Sequence, residues 1–232
     1  MSKSVLIKSS LAKKYWMALT GLFLCLFLVG HLVGNLQLFI SGEAGKLQFN
    51  EYALFMTSNP AVKILSYLTY ASILFHAIDG ILLTVQNRKA RPIGYAHSTP
   101  GANSAWYARS MAVLGTAILV FIVVHMQNFW WRMHFGDLPL DSAGNKDLYQ
   151  VVMDFFNPSV NSTAFVPLLV YVIAMLALAY HLMHGFQSAF QSLGLRHKKY
   201  TPIIEKVSYA FAIIVPMAFA SIPVYLFLTQ QS

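Results

Sequence analysis

Five long apolar stretches constrain this chain more than any other feature of its sequence. A bilayer core of about 30 Å is crossed by about 20 apolar residues in a helix. Stretches of this kind cover residues 15–40, 61–87, 108–131, 167–193 and 202–228. An Asn59-Pro60 pair marks the start of the second. Only 10% of the residues are charged, against about 25% in soluble domains, which excludes a soluble or disordered chain. The sequence therefore predicts an all-α integral membrane protein, a single domain over residues 1–232 with a bundle of five transmembrane helices.

The distribution of lysine and arginine predicts how the bundle is oriented. With the N-terminus inside, twelve of the 16 basic residues fall in the inner segments. The other four, Lys46, Lys63, Arg132 and Lys146, fall outside with six of the eight acidic residues. Cytoplasmic loops carry the excess of lysine and arginine, so we expect the N-terminus inside and the C-terminus outside. The net charge of +8 then reflects topology and an anionic lipid surface, and we expect no nucleic-acid partner.

Five of the eight histidines fall inside the predicted helices: His31, His76, His125, His181 and His184. Ionisable side chains are costly in a membrane and usually have a functional role there. At a rise of 1.5 Å per residue, His31 and His125 lie about 25 and 24 Å from the nearest inner basic residue of their helix. His76 and His184 each lie about 18 Å from theirs. His181 has a depth that suits the first pair, and depth alone does not exclude it.

Two pairs of histidines at two depths are typical of two stacked haems, each ligated by imidazoles from two helices. Glycines near these histidines, such as Gly30 and Gly34 around His31, leave room for a porphyrin. The single cysteine, Cys25, cannot by itself hold an iron–sulfur cluster. Because no C-x-x-C-H motif is present, haem would be held without thioether links.

Four short stretches carry a resemblance to a known family. They are Thr20-Gly21 through Gly30-His31-Leu32, Phe75-His76-Ala77 followed by Arg88-Lys89, Val124-His125-Met126, and His184-Gly185. With their spacing over five predicted helices, the chain resembles the cytochrome b membrane-anchor subunit of succinate:quinone oxidoreductases. The resemblance is to the five-helix, two-haem type that also serves menaquinol:fumarate reductases, and it covers nearly the whole chain.

The resemblance implies two non-covalent haem b groups. Their axial ligands would be His31 and His125 for an outer haem, and His76 and His184 for an inner haem. It favours His184 over His181 because the family's ligand in this helix precedes a glycine. It also implies a bacterial cytoplasmic-membrane subunit that binds a flavoprotein and an iron–sulfur subunit on its inner face, and it is compatible with a dimer of the whole complex. Succinate and fumarate would react on those partners, and this chain would react with menaquinone.

Reduction of a quinone requires protons as well as electrons, and the family places a glutamate near the outer start of the second helix. Glu51 is the candidate proton donor or acceptor here, with Glu43 and His134 as weaker ones. The fumarate-reductase branch carries a glutamate two residues before the fourth ligand. This chain has Leu182 there, which favours a succinate dehydrogenase.

Three alternatives stay open at this point. Another two-haem cytochrome b, such as the anchor of a hydrogenase or formate dehydrogenase, would share four histidines but space them differently along its helices. A metal or proton transporter would place acidic groups beside the histidines, and only Asp79 lies well inside a predicted helix. An anchor that had lost its haem would have no need of the four histidines.

Overall fold

The computed structural model describes residues 9–90 and 100–230, and throughout these residues the regular structure is helical. The seven longer helices are α1 Ser10–Asn35, α2 Gly42–Ser58, α3 Pro60–Lys89, α4 Met111–His125, α5 Leu148–Phe156, α6 Phe165–Ser192 and α7 Thr201–Thr229. Shorter helical segments cover Leu36–Phe39, Pro100–Asn103, Trp106–Arg109, Met126–Trp131 and Arg132–Phe135. Lys3, Lys8 and Arg91, counted above as inner basic residues, and the loop residue His97 lie outside the described residues.

Five apolar helices long enough to cross a membrane confirm the predicted spans. Within the described residues they cover Leu11–Phe39, Pro60–Lys89, Met111–Phe135, Phe165–Ser192 and Thr201–Thr229. Asn59 caps α3 as its sequence indicates, because its side-chain oxygen accepts hydrogen bonds from the amides of Ala61 and Val62 at 2.9 and 3.3 Å. The side of the membrane on which each end lies stays a prediction.

Helix α6 is central to the bundle because it packs against α1, α4 and α7, while α3 lies mainly against α1. Large apolar side chains point outward along α1, α3, α4, α6 and α7, as expected for surfaces that contact lipid tails instead of water. The third predicted span continues α4 through a wide π-helical turn, Met126–Trp131, that begins directly after His125. Such turns are rare and are often found at functional sites.

Helices α2 and α5 lie together at one end of the bundle, which we call the α2 end. Helix α5 is short and buries one apolar face. Helix α2 lies between the first two spans, where the sequence predicts no helix. Phe49 of α2 contacts Tyr149 of α5, with ring centres 6.0 Å apart, and both are buried. The hydroxyl of Tyr149 donates to the carbonyl of Ile40 at 3.1 Å, so this layer is also tied to the end of the first span.

A buried polar network centred on Asn50 holds the α2 end together. Asn50 is fully buried, and its amide nitrogen donates to Asp141 Oδ2 at 3.1 Å and to Asp147 Oδ1 at 3.0 Å. Its amide oxygen accepts from the backbone amide of Tyr149 at 2.9 Å. Lys46 Nζ forms an ion pair with Asp147 Oδ2 at 2.6 Å. One side chain thus joins α2 to α5 and to the loop before it.

Candidate functional site

The first pair of histidines comes together between α1 and α4. The rings of His31 and His125 have centres 5.8 Å apart and are nearly perpendicular, at 88°. Phe219 of α7 contacts the His31 ring at 5.7 Å. The hydroxyl of Tyr171 on α6 lies 3.2 Å from Nδ1 of His125. Four helices therefore enclose this pair, which combines the two residues that the sequence predicted to act together.

The second pair consists of His76 on α3 and His181 on α6, with ring centres 6.1 Å apart and an interplanar angle of 68°. Both rings lie close to glycines of other helices. A Cβ atom at Gly21 would lie 3.2 Å from Cε1 of His76, and a Cβ at Gly115 would lie 3.7 Å from Cε1 of His181. Nδ1 of His181 is buried and has no hydrogen-bond partner among the described residues.

The sequence predicted His184 as the partner of His76, and the structure places His184 elsewhere. Among the described residues, His184 makes no ring contact with another histidine. It lines a cavity of about 250 Å³ together with Tyr107 and Gln187, and Gln187 donates to Glu205 at 2.8 Å. The assignment of His184 as a ligand stays a prediction, but the geometry favours His181 for that position.

The two pairs form separate layers along the bundle. On α1, His31 belongs to the first layer, and Thr20, whose hydroxyl lies 3.2 Å from Nδ1 of His76, belongs to the second. The same layers are marked on α6 by Tyr171 and His181. Thr20 and His31 are eleven residues apart, which corresponds to about 16 Å along α1. Tyr171 and His181 are ten residues apart, which corresponds to about 15 Å along α6. The first layer lies toward the α2 end and the second toward the opposite end.

The predicted quinone residue Glu51 lies on an exposed face of α2.

Its neighbour Tyr52 points instead toward the bundle, where its ring covers Gly34, one turn after His31. A Cβ atom at Gly34 would lie only 2.6 Å from the Tyr52 ring, so this close approach requires a glycine. A Cβ at Gly30, the exposed residue before His31, would meet nothing within 4 Å. Partial burial raises the pKa of the Tyr52 hydroxyl.

The weaker quinone candidates also lie near the α2 end. Glu43 accepts a hydrogen bond from the hydroxyl of Ser142 at 2.5 Å. His134 stacks on Trp130 with ring centres 4.4 Å apart, and the indole nitrogen of Trp130 donates to the hydroxyl of Tyr70 at 2.7 Å. Glu43 is thus already engaged with the loop, and His134 belongs to an aromatic group beside the π-helical turn.

Haem is the group that the sequence implies. Each pair would hold it through imidazoles that two helices bring into one layer of the bundle. The unpaired nitrogen of His181 also favours a bound group in this layer, because a buried polar atom without a partner is costly. No cluster of three or more metal-ligating side chains occurs in residues 9–90 and 100–230, so the described part offers no separate protein-only metal centre.

Sequence reasoning did not find the hydroxyl groups of Thr20 and Tyr171 that face the histidines. No periodic signal singles out a threonine or a tyrosine in an apolar helix, since each also occurs there as a packing residue. The stretch Thr20-Gly21 was noted for its resemblance only, and its contact with His76, 56 residues later, required the tertiary structure.

Comparison with known proteins adds no assignment, because the chain matches no protein-family model, no curated protein and no solved structure.

Proposed function

We propose that this chain is the two-haem cytochrome b subunit that anchors a succinate dehydrogenase to the bacterial cytoplasmic membrane. It transfers electrons between the iron–sulfur subunit of that enzyme and menaquinone. The observation that carries the proposal is the stacking of two histidine pairs, each drawn from two helices, in one apolar bundle. A transporter would require acidic partners for its histidines. Asp79 interacts with His76 through its charge, but no acidic group forms a hydrogen bond or an ion pair with a histidine of these layers in the described residues. The same subunit type would serve a menaquinol:fumarate reductase running in the opposite direction.

The residues of each layer would hold haem and keep water away from it. His31 and His125 are the proposed axial ligands of the haem nearer the α2 end. His76 is the proposed ligand of the other haem, with His181 in preference to His184 as its partner. When bound, haem supplies one-electron transfer. The protein contributes the ligands, the hydrogen bonds to them and the apolar surroundings, which together set the reduction potential.

The opposite end of the bundle is the proposed docking face for the flavoprotein and iron–sulfur subunits. Exposed basic side chains collect there, at the start of α1, the end of α3 and the turn between α6 and α7. They are Lys14, Arg88, Lys89, Arg196, Lys198 and Lys199. Such a surface attracts both anionic lipid headgroups and acidic protein surfaces. By the same orientation, menaquinone reacts near the α2 end, where Glu51 is exposed and the Tyr52 hydroxyl lies close to the His31 layer.

The test is to express the chain in membranes with its partner subunits and to measure haem b per polypeptide. Reduced-minus-oxidised spectra and the pyridine haemochrome give the stoichiometry. We expect two haems in the wild type and one in each of His31→Ala, His125→Ala and His76→Ala. A wild-type chain without haem, even after haem supplementation, would refute the proposal.

The same assay separates His181 from His184. We expect His181→Ala to lose the same haem as His76→Ala, and His184→Ala to retain both. These two variants are matched controls for each other because both remove an imidazole from α6 within one helical turn. Loss of haem in His184→Ala alone would restore the pairing predicted from the sequence.

A further inference from the structure

The hydroxyl of Thr20 has a defined hydrogen-bond direction. Thr20 is buried, and Oγ1 lies 2.7 Å from the backbone carbonyl of Trp16 and 3.3 Å from that of Met17. A hydroxyl carries a single proton, and carbonyl oxygens can only accept. The Thr20 proton is therefore donated within its own helix, one turn back along α1.

The same oxygen lies 3.2 Å from Nδ1 of His76. Since its proton is committed to a carbonyl, Thr20 Oγ1 can only accept a hydrogen bond from this direction. With the Thr20 proton on the Trp16 carbonyl, a neutral His76 ring carries its proton on Nδ1 and leaves the lone pair of Nε2 free. The backbone carbonyl of Met17, in the same turn of α1, also accepts a hydrogen bond from the His76 ring. A hydrogen bond at one ring nitrogen commonly fixes which nitrogen is free to bind a metal.

The position of the ring is fixed as well as its tautomer. Gly21 follows Thr20 in sequence, and a Cβ there would lie 3.2 Å from Cε1 of His76. The missing side chain lets the imidazole come close enough to α1 for the Nδ1 contact. Thr20 and Gly21 thus form one contact surface on α1 for the His76 ring.

We propose that Thr20 is a positioning residue that fixes the Nδ1-protonated tautomer of His76 and, through it, lowers the reduction potential of the haem that His76 ligates. The inference rests on the proposed function and adds the residue that tunes one of its two haems. Accepting the Nδ1 proton makes the imidazole a stronger electron donor, and a stronger donor stabilises ferric over ferrous iron. Among the described residues, Thr20 is the residue whose hydroxyl contacts a ring of this pair.

The experiment compares Thr20→Val, Thr20→Ser and Thr69→Val in the full complex. Valine has nearly the shape of threonine and lacks the hydroxyl, whereas serine keeps it. Thr69 is the matched control because it is buried in α3 and its hydroxyl donates only to the carbonyl of Leu65, at 2.9 Å. Each haem's midpoint potential is measured by spectroscopic redox titration, together with haem per polypeptide.

We expect Thr20→Val to shift the reduction equilibrium of one haem about tenfold toward the ferrous form, which for a one-electron couple is about 59 mV more positive. The other haem should keep its potential. Thr20→Ser should restore the wild-type value, and Thr69→Val should leave both unchanged. Loss of one haem in Thr20→Val with retention in Thr20→Ser also supports the role of the hydroxyl.

Unchanged potentials of both haems in Thr20→Val would overturn the inference. So would equal haem loss in the valine and serine variants, because that result assigns Thr20 a packing role only. A wild-type complex without haem would instead refute the proposed function, and this outcome is visible before any variant is compared.

Discussion

Replacing Asn50 by alanine should release α5 from α2 without unfolding the transmembrane bundle. The side chain makes three hydrogen bonds, two of which go to the carboxylates of Asp141 and Asp147. A hydrogen bond to a charged group contributes about 1.5–3 kcal/mol, and a buried amide left without an acceptor costs about 1–3 kcal/mol. The lower ends of these ranges add to about 4 kcal/mol. Every hydrogen-bond partner of the Asn50 side chain lies in α5 or the preceding loop. The loss of stability should therefore be confined to the α2 end.

Hydrogen exchange followed by mass spectrometry measures this loss of local stability in α5. When reclosing is faster than chemical exchange, a change of about 4 kcal/mol corresponds to roughly a thousandfold faster exchange. The buried Val152 in α5 is a suitable reporter amide. The amide of Tyr149 is unsuitable because the substitution removes its own acceptor. The control is Gln48→Ala, an exposed position on the same helix, which should leave the exchange unchanged. Less than a tenfold change at Val152 in Asn50→Ala would show that apolar contacts, and not this network, hold the two helices together.

Two further predictions concern the same end of the molecule. Gly34→Leu should lower the thermal stability of the detergent-solubilised protein by about 1–3 kcal/mol because Tyr52 occupies the space that a side chain needs. Adding Tyr52→Ala should recover part of the loss, and equal melting temperatures for the wild type and Gly34→Leu would contradict the contact. Burial raises the pKa of Asp147, but hydrogen bonds from Lys46 and Asn50 outweigh it and hold the pKa below its usual 3.8. A carboxylate with a lowered pKa stabilises the folded state above pH 3.8 and loses this effect as the pH falls through its folded pKa. Protease resistance of α5 should therefore be constant from neutral pH to about pH 5 and fall in stronger acid. Asp147→Asn should weaken this pH dependence, and Asp141, whose pKa burial raises but hydrogen bonds from Asn145 and Asn50 hold below its usual value, supplies the remainder.

The five spans could be predicted from the sequence because the cause is local. A helix that crosses a bilayer needs a continuous apolar stretch of about 20 residues, and such a stretch can be counted without knowledge of its neighbours. The start of α3 also has a local cause, because the Asn59 side chain accepts hydrogen bonds from the amides two and three residues later. The occurrence of histidines in four consecutive spans, which directed attention to the site, is also visible in the sequence.

The partner of His76 could not be predicted in this way. His181 and His184 are three residues apart, so they lie on neighbouring parts of one helix face, and depth along the helix separates them by only about 4.5 Å. The choice depends on how α6 is rotated about its axis. That rotation is set by packing against α1, α4 and α7 together, and it turns the His181 ring toward His76.

The sequence by itself therefore determined the class of the protein, its spans and the residue types that could carry chemistry in a membrane. The tertiary structure decided which of those residues meet. The pairs of His76 with His181 and with Thr20, and of Asn50 with Asp141, join residues 56 to 105 positions apart in the chain. Hydropathy and helical periodicity carry information over one or two turns, whereas these contacts depend on the rotation and registry of whole helices.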